Sequence, residues 1–116
     1  MDEPKIKFVL LIPLAYNNGK AVPRAVISRI PDEIFVLAGG HTVAGTVQGA
    51  YRMQDGTRQE DESLQVWIGV REQEVSDLKR MVAKFGRMLG QESMYLERTG
   101  GTIGFVPPLP QEGENP

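Results

Sequence analysis

The spacing of hydrophobic positions changes several times along the chain, starting with an almost unbroken apolar run at residues 5–14. Such a run is typical of a strand that lies in the middle of a sheet and is covered on both faces. Residues 44–53 and 64–70 are predicted as two further strands, because Asp55-Gly56 between them favours a hairpin turn. Apolar and polar side chains alternate in residues 64–70, which predicts a strand with one buried face.

The segment between the first two strands shows near-helical spacing of apolar residues over 22–37. Pro23 suits the first turn of a helix, and the glycine pair at 39–40 ends the pattern. Pro31 lies inside this segment, where a proline costs about 3 kcal/mol because it removes a main-chain donor and clashes with the preceding turn. The sequence therefore leaves two alternatives, a kinked helix or two short helices that meet at Ile30.

A second helix is predicted over residues 72–89, where an apolar stripe recurs with helical period and Gly90 follows as a terminator. A last strand is predicted at 93–98 and resumes at 103–106. The intervening Thr-Gly-Gly-Thr at 99–102 indicates a bulge or turn, or alternatively an anion site made of main-chain amides.

The predicted order of strand, helix, strand, strand, helix and strand matches a ferredoxin-like βαββαβ fold. It places both helices on one face of a four-stranded antiparallel sheet, with the first and third strands central. We predict a single α+β domain over residues 1–106, followed by a flexible tail rich in proline and glutamate at 107–116.

This topology leaves one sheet face without helices, here called the helix-free face, and the sequence places large apolar side chains on it. The residues predicted there, as a ligand or interface surface, are Val9, Leu11, Gln48, Arg52, Trp67, Tyr95 and Glu97. Exposed apolar patches of this kind are typical of binding surfaces. We therefore predict a homo-oligomer, most simply a dimer, that packs sheet against sheet. The alternative is that residues 105–109 of the same chain cover Trp67 and Val9.

Composition excludes several function classes. The 13 Lys and Arg residues against 15 Asp and Glu leave a net charge of −2, which argues against nucleic acid as a partner. The chain has no cysteine and one histidine, which excludes disulfides, thiolate metal sites and sites that need two imidazoles. The acidic start and the short apolar run containing Pro13 fit neither an export signal nor a membrane span, so we expect a cytoplasmic protein with no membrane contact.

Glycine-rich and acidic segments add little chemistry. Residues 39–46 have the glycine spacing of a phosphate-binding loop, but Thr46-Val47 stands where the loop needs Lys followed by Ser or Thr, so no cofactor is predicted. The three acids at 60–62 lack further ligands at a metal-loop spacing and are predicted as a solvated acidic turn, with no metal.

Glu97 and Tyr95 are the strongest candidates for chemistry, because strand alternation places them side by side near the aromatic surface. One interpretation makes Glu97 an acid or base assisted by Tyr95, Arg52 or His41. The other makes it an ion-pair partner of Arg52 or Arg71 across an oligomer interface. His41 is predicted as an exposed loop residue, although its ordinary pKa would suit a proton shuttle.

Short motifs resemble a family of small uncharacterised bacterial proteins known as a domain of unknown function. They are Gly39-Gly40-x-Thr42, Gly49-x-Tyr51-Arg52, Glu62-Ser63 and Gln91-Glu92-Ser93-Met94. The resemblance implies a ferredoxin-like α+β domain and brings no reaction with it. Our functional hypothesis is a small homo-oligomeric ligand-binding or regulatory module assembled through the helix-free face. The alternative is a small-molecule enzyme whose site lies between paired sheets and uses Glu97 as acid or base.

Overall fold

The computed structural model describes residues 4–103 and residue 110, and these form an α+β fold of the ferredoxin-like type. In chain order the elements are β1 (Lys5–Pro13), α1 (Arg24–Ala38), β2 (Thr42–Arg52), β3 (Arg58–Val70), a 3-10 helix (Glu72–Glu74), α2 (Val75–Met88) and β4 (Tyr95–Ile103). The strands form one antiparallel sheet in the order β2-β3-β1-β4. The predicted fold class is confirmed, including the central positions of the first and third strands.

The hydrophobic core lies between the two helices and one face of the sheet. Its fully buried side chains come from both central strands and from both helices: Phe8, Leu10 and Ile12; Val66, Ile68 and Val70; Ile30 and Ile34; Leu78 and Phe85. The strand residues in this set alternate with the residues of the helix-free face, as the period of a strand requires. Both helices therefore cover the same face.

The first helix is continuous, and the alternative of two short helices is wrong. Pro31 lies inside α1 and is itself buried beside Ile30 and Ile34, so packing against the sheet compensates for the one main-chain hydrogen bond that proline cannot donate. The helix ends as predicted, because Gly39 adopts φ 79° and donates its N–H to the Phe35 carbonyl at 2.8 Å.

The β2–β3 hairpin is longer than the sequence indicates. β3 starts at Arg58 rather than 64, so the acids at 60–62 lie within a strand opposite residues 48–50 of β2, and the prediction of an acidic turn there is wrong. Because β1 pairs only with residues 63–70 of β3, the hairpin end projects beyond β1 as a two-stranded ribbon. Apolar and polar residues do not alternate in this ribbon, so its strands cannot be recognised from the sequence pattern. Pairing between β2 and β3 makes these residues strands.

Strand β4 runs without a break through the glycine pair. The register changes from Phe8 opposite Arg98 to Ile6 opposite Thr102, so the Thr-Gly-Gly segment forms a bulge beside β1, as one of the two alternatives predicted. Residues 104–106, and the proposed tail apart from residue 110, lie outside the described residues. This also holds for the suggested capping of Trp67 by residues 105–109.

Candidate ligand site on the helix-free face

Pairing of β1 with its two neighbours brings five of the predicted site residues onto one surface. Val9 lies opposite Trp67 on one side and Glu97 on the other. Leu11 lies opposite Tyr95 of β4. Paired residues of neighbouring strands share a face, so all five project from the helix-free face.

Gln48 and Arg52 do not join this surface. They pair with Glu62 and Arg58, whose side chains alternate onto the same side as Leu64 of the core face. The cause is a bulge at Gly45, which adopts φ 108° and shifts the rest of β2 by one residue. A shift of one residue moves every following side chain to the other face of the strand.

A cavity of about 340 Å³, here called the tyrosine cleft, lies at the hairpin end of the helix-free face. Its walls include Leu11, Pro13, Tyr51, Ser63 and Tyr95. Pro13 and Ser63 are buried at the floor, while Tyr51 and Tyr95 remain 41% and 46% exposed. Apolar and aromatic walls with a few polar groups are the usual composition of a small-molecule site.

Tyr51 is a site residue that was not among those predicted from the sequence. Its ring lies across Gly49: a Cβ added to that glycine would stand 2.8 Å from the phenol oxygen of Tyr51. No larger residue leaves room for the ring in this position. The spacing Gly49-x-Tyr51 puts both residues on one face and is the signal in the sequence that indicates this contact.

Tyr95 and Glu97 form a hydrogen-bonded pair. The Tyr95 hydroxyl donates to Glu97 Oε1 at 3.0 Å. This bond, together with the charge of the carboxylate, raises the pKa of Tyr95, because both favour retention of the phenol proton. Arg71, one of the proposed partners of Glu97, pairs with Glu74 at 3.2 Å.

The charges around the tyrosine cleft favour a cation. Asp61 and Glu92 line it, Glu97 is hydrogen-bonded to its wall, and Arg52 is the one basic residue among the lining residues described. Aromatic rings also attract cations through their faces. Across the described ranges, no group of three or more His, Asp or Glu side chains is arranged to hold a metal ion.

His41 stands apart from this cleft, between α1 and β2. Its ring meets the Phe35 ring edge-on, with centroids 6.5 Å apart. It is half-buried rather than exposed, and its Nδ1 is buried with no hydrogen-bond partner among the described residues. The prediction of a simple exposed loop histidine is therefore wrong.

Comparison with known proteins gives no family-model match and no match to a curated protein. Among solved structures, a phage SAM lyase in complex with S-methyl-5'-thioadenosine matches with a TM-score of 0.68 and 11% identity, over 92% of this chain and 93% of that chain. CutA1 from Oryza sativa matches with a TM-score of 0.62 and 16% identity, over 90% and 84%. The divalent cation tolerance protein (Cut A1) of Thermus thermophilus matches with a TM-score of 0.56 and 14% identity, over 85% of this chain and 86% of that chain.

The chain shares the fold of these proteins. At such low identity the likeness concerns fold alone, and it supports the ferredoxin-like architecture that the resemblance in the sequence implied. That resemblance is confirmed only in its fold. No helix in the described ranges is long and apolar enough to cross a membrane.

Proposed function

We propose that the protein is a homo-oligomeric binding module whose tyrosine cleft takes a cationic nucleoside derivative, of which S-adenosylmethionine is the example to test. The observation that carries the proposal is the pairing of two aromatic walls, Tyr51 and Tyr95, with the Glu97 carboxylate bonded to one of them. A purine ring stacks on aromatic side chains, and a sulfonium is attracted both by aromatic faces and by a carboxylate.

The fold precedent supports this class of ligand. The phage SAM lyase with the same fold holds S-methyl-5'-thioadenosine, which is a nucleoside thioether. The acidic lining of the tyrosine cleft supports a positively charged relative of that molecule. Asp61 and Glu92 line the cleft together with Arg52. Glu97 is hydrogen-bonded to Tyr95 beside them, so charge repulsion disfavours an anion.

The surface around the cleft supports the proposed self-association. Trp67, Tyr51 and Tyr95 are 38–46% exposed on a sheet face that neither of the two described helices covers. Val9 and Leu11 continue this surface between them as half-buried residues. Burial against a second copy at about 25 cal/mol per Å² stabilises the pair by several kcal/mol, and a two-fold dimer is the commonest closed form.

Calorimetric titration of the purified full chain with S-adenosylmethionine tests the ligand. We expect Glu97→Gln to weaken binding about tenfold, equivalent to about 1.4 kcal/mol. Binding of S-methyl-5'-thioadenosine should change much less, because that ligand has no charge for the carboxylate to stabilise. Glu72→Gln is the matched control, since Glu72 pairs with Arg98 at 2.9 Å and lies outside the cleft. Absence of binding, or equal loss for both ligands, contradicts the proposal.

A second candidate is an enzyme that cleaves the same ligand, favoured by the position of the Glu97 carboxylate at the cleft and by the lyase neighbour. In an elimination, Glu97 takes a proton from the carbon next to the one bonded to sulfur. The carbon–sulfur bond to the aminocarboxypropyl chain breaks with its electron pair on sulfur, and a carbon–carbon double bond forms. Chromatography after incubation with S-adenosylmethionine would then show S-methyl-5'-thioadenosine for wild type and Glu72→Gln and not for Glu97→Gln. Tight binding without product supports the binding module.

A further inference from the structure

A second cavity, also of about 340 Å³, lies at the other end of the helix-free face, and we propose that it binds a phosphate group. We call it the lysine cavity; its walls include Lys5, Lys7, His41, Thr42 and Trp67. The site is contributed by the starts of β1 and β2 and by β3 close to its end. It is separate from the tyrosine cleft and does not depend on the function proposed for that cleft.

The charge of the lysine cavity is opposite to that of the whole chain. Lys5 and Lys7 line it, and none of its lining residues is Asp or Glu. The protein as a whole has a net charge of −2. In the part of the chain described, neither lysine forms an ion pair with a carboxylate. Lys5 is partly balanced by the charge of Glu74, with which it interacts electrostatically. The positive charge that attracts an anion into this concave site is therefore mainly that of Lys7.

Lys5 and Lys7 differ in what they already contact. The Lys5 ammonium donates to the Ala38 carbonyl at 2.8 Å and so caps the end of α1. The Lys7 ammonium lies over the Trp67 ring, 3.9 Å from its centroid, in a cation–π contact. An aromatic ring is not an oxygen acceptor, so this contact does not take up the N–H donors of the ammonium. The residue opposite Lys7 on β3 is Gly69, which has no side chain to fill the space there. Among the described residues no oxygen accepts a hydrogen bond from the Lys7 ammonium, so its three N–H donors can bind a ligand oxygen.

His41 contributes its ring to the wall of the lysine cavity. Its Nδ1 is buried and lacks a hydrogen bond within the described residues, so this nitrogen is closed off from a ligand in the cavity. The polar contact to a phosphate oxygen therefore comes from the Lys7 ammonium, which donates charge-assisted hydrogen bonds.

Trp67 and His41 allow this site to be observed directly, because the chain has one tryptophan and one histidine and both line the lysine cavity. The full chain is titrated with inorganic phosphate and, separately, with adenosine 5'-monophosphate, at constant ionic strength set with sodium chloride. Tryptophan fluorescence and the imidazole proton resonances are followed together. We expect both signals to saturate. If adenosine 5'-monophosphate binds more tightly than inorganic phosphate, the natural ligand is a phosphate ester. If the two bind equally, the site recognises free phosphate.

Lys7→Met should weaken phosphate binding by at least about tenfold, since it removes a charge-assisted hydrogen bond and keeps an apolar chain of similar length. Lys7→Arg should restore part of the loss. Lys79→Met on α2 is the control and should bind as the wild type does, because Lys79 lies outside the lysine cavity. The proposal is overturned if neither probe gives a saturable change, or if Lys7→Met binds as tightly as wild type with a native circular dichroism spectrum.

Discussion

At the scale of single residues, Gly49 positions the aromatic wall of the tyrosine cleft. An added Cβ would stand 2.8 Å and 2.9 Å from the Tyr51 phenol oxygen and Cε2, both below van der Waals contact. We therefore expect Gly49→Ala to displace the Tyr51 ring and to weaken S-adenosylmethionine binding several-fold. The free energy of unfolding should change by no more than about 1 kcal/mol, because glycine in a strand is itself unfavourable by about that amount.

The measurement is the chemical shift of the Tyr51 ring protons, together with thermal unfolding and the ligand titration. Gly100→Ala is the matched control, since an added Cβ in β4 meets nothing within 4 Å. Unchanged chemical shifts of the Tyr51 ring protons in Gly49→Ala would contradict the prediction that the ring position depends on the missing side chain of Gly49.

Individual site residues could be predicted only where strand alternation is uninterrupted. Tyr95 and Glu97 stand two residues apart before the bulge of β4, so their common face follows from sequence. Gln48 and Arg52 follow the bulge at Gly45, and their faces are reversed by one residue that has no partner. The unpaired Nδ1 of His41 depends on how α1 meets β2 in space, which no spacing in the sequence encodes.

At the scale of elements, the start of the second helix depends on Glu74. Its carboxylate accepts the Arg71 main-chain N–H at 2.8 Å and the Arg71 side chain at 3.2 Å. These bonds hold the pKa of Glu74 below its ordinary value, the side-chain contact contributing most. Because the pKa is lower in the folded state, protonation favours the unfolded chain. The contribution of ionised Glu74 to the free energy of unfolding is therefore complete above the ordinary glutamate pKa. It is lost as pH falls through the lower pKa that Glu74 has in the folded protein.

We expect Glu74→Gln to lower the free energy of unfolding by about 1 kcal/mol at neutral pH, because a charged acceptor of two hydrogen bonds from Arg71 becomes a neutral one. The difference from wild type should shrink as pH falls below about 4. Urea unfolding at several pH values measures both effects. Asp77→Asn, in the more exposed pair with Arg80, should cost less than about 0.5 kcal/mol. A Glu74→Gln difference that stays constant down to acid pH would contradict the role of the charge.

Most elements are predictable from their apolar period, and the exceptions share a cause. The stripe of α2 and the alternate residues Phe8, Leu10 and Ile12 of β1 face the core, so burial fixes their pattern. The ribbon part of β3 at 58–62 has no core to face, and only its pairing with β2 makes it a strand. Pro31 predicts a break from local chemistry alone, but the packing of α1 on the sheet outweighs that local cost.

At the scale of the whole molecule, helices cover one side of the sheet, and no described element covers the other. The open side carries Val9 at its centre, between Trp67 and Glu97. If a second copy covers this side, a charge at position 9 must be desolvated on assembly, which costs several kcal/mol. Within one subunit the same charge lies beside Glu97 and is tolerated. Val9→Lys is therefore a substitution that separates assembly from folding.

We expect wild type to be an oligomer by native mass spectrometry and light scattering, and Val9→Lys to raise its dissociation constant at least a hundredfold, or about 2.7 kcal/mol. The circular dichroism spectrum of the variant should stay native. Val36→Lys is the matched control, because Val36 is 85% exposed on α1 and lies away from the helix-free face. A wild-type monomer, or equal dissociation constants for Val9→Lys and wild type, would contradict assembly through the helix-free face. The exposed aromatic side chains would then serve ligand binding only. In that case the tyrosine cleft would have to bind its nucleoside without a covering subunit, and its affinity would be independent of protein concentration.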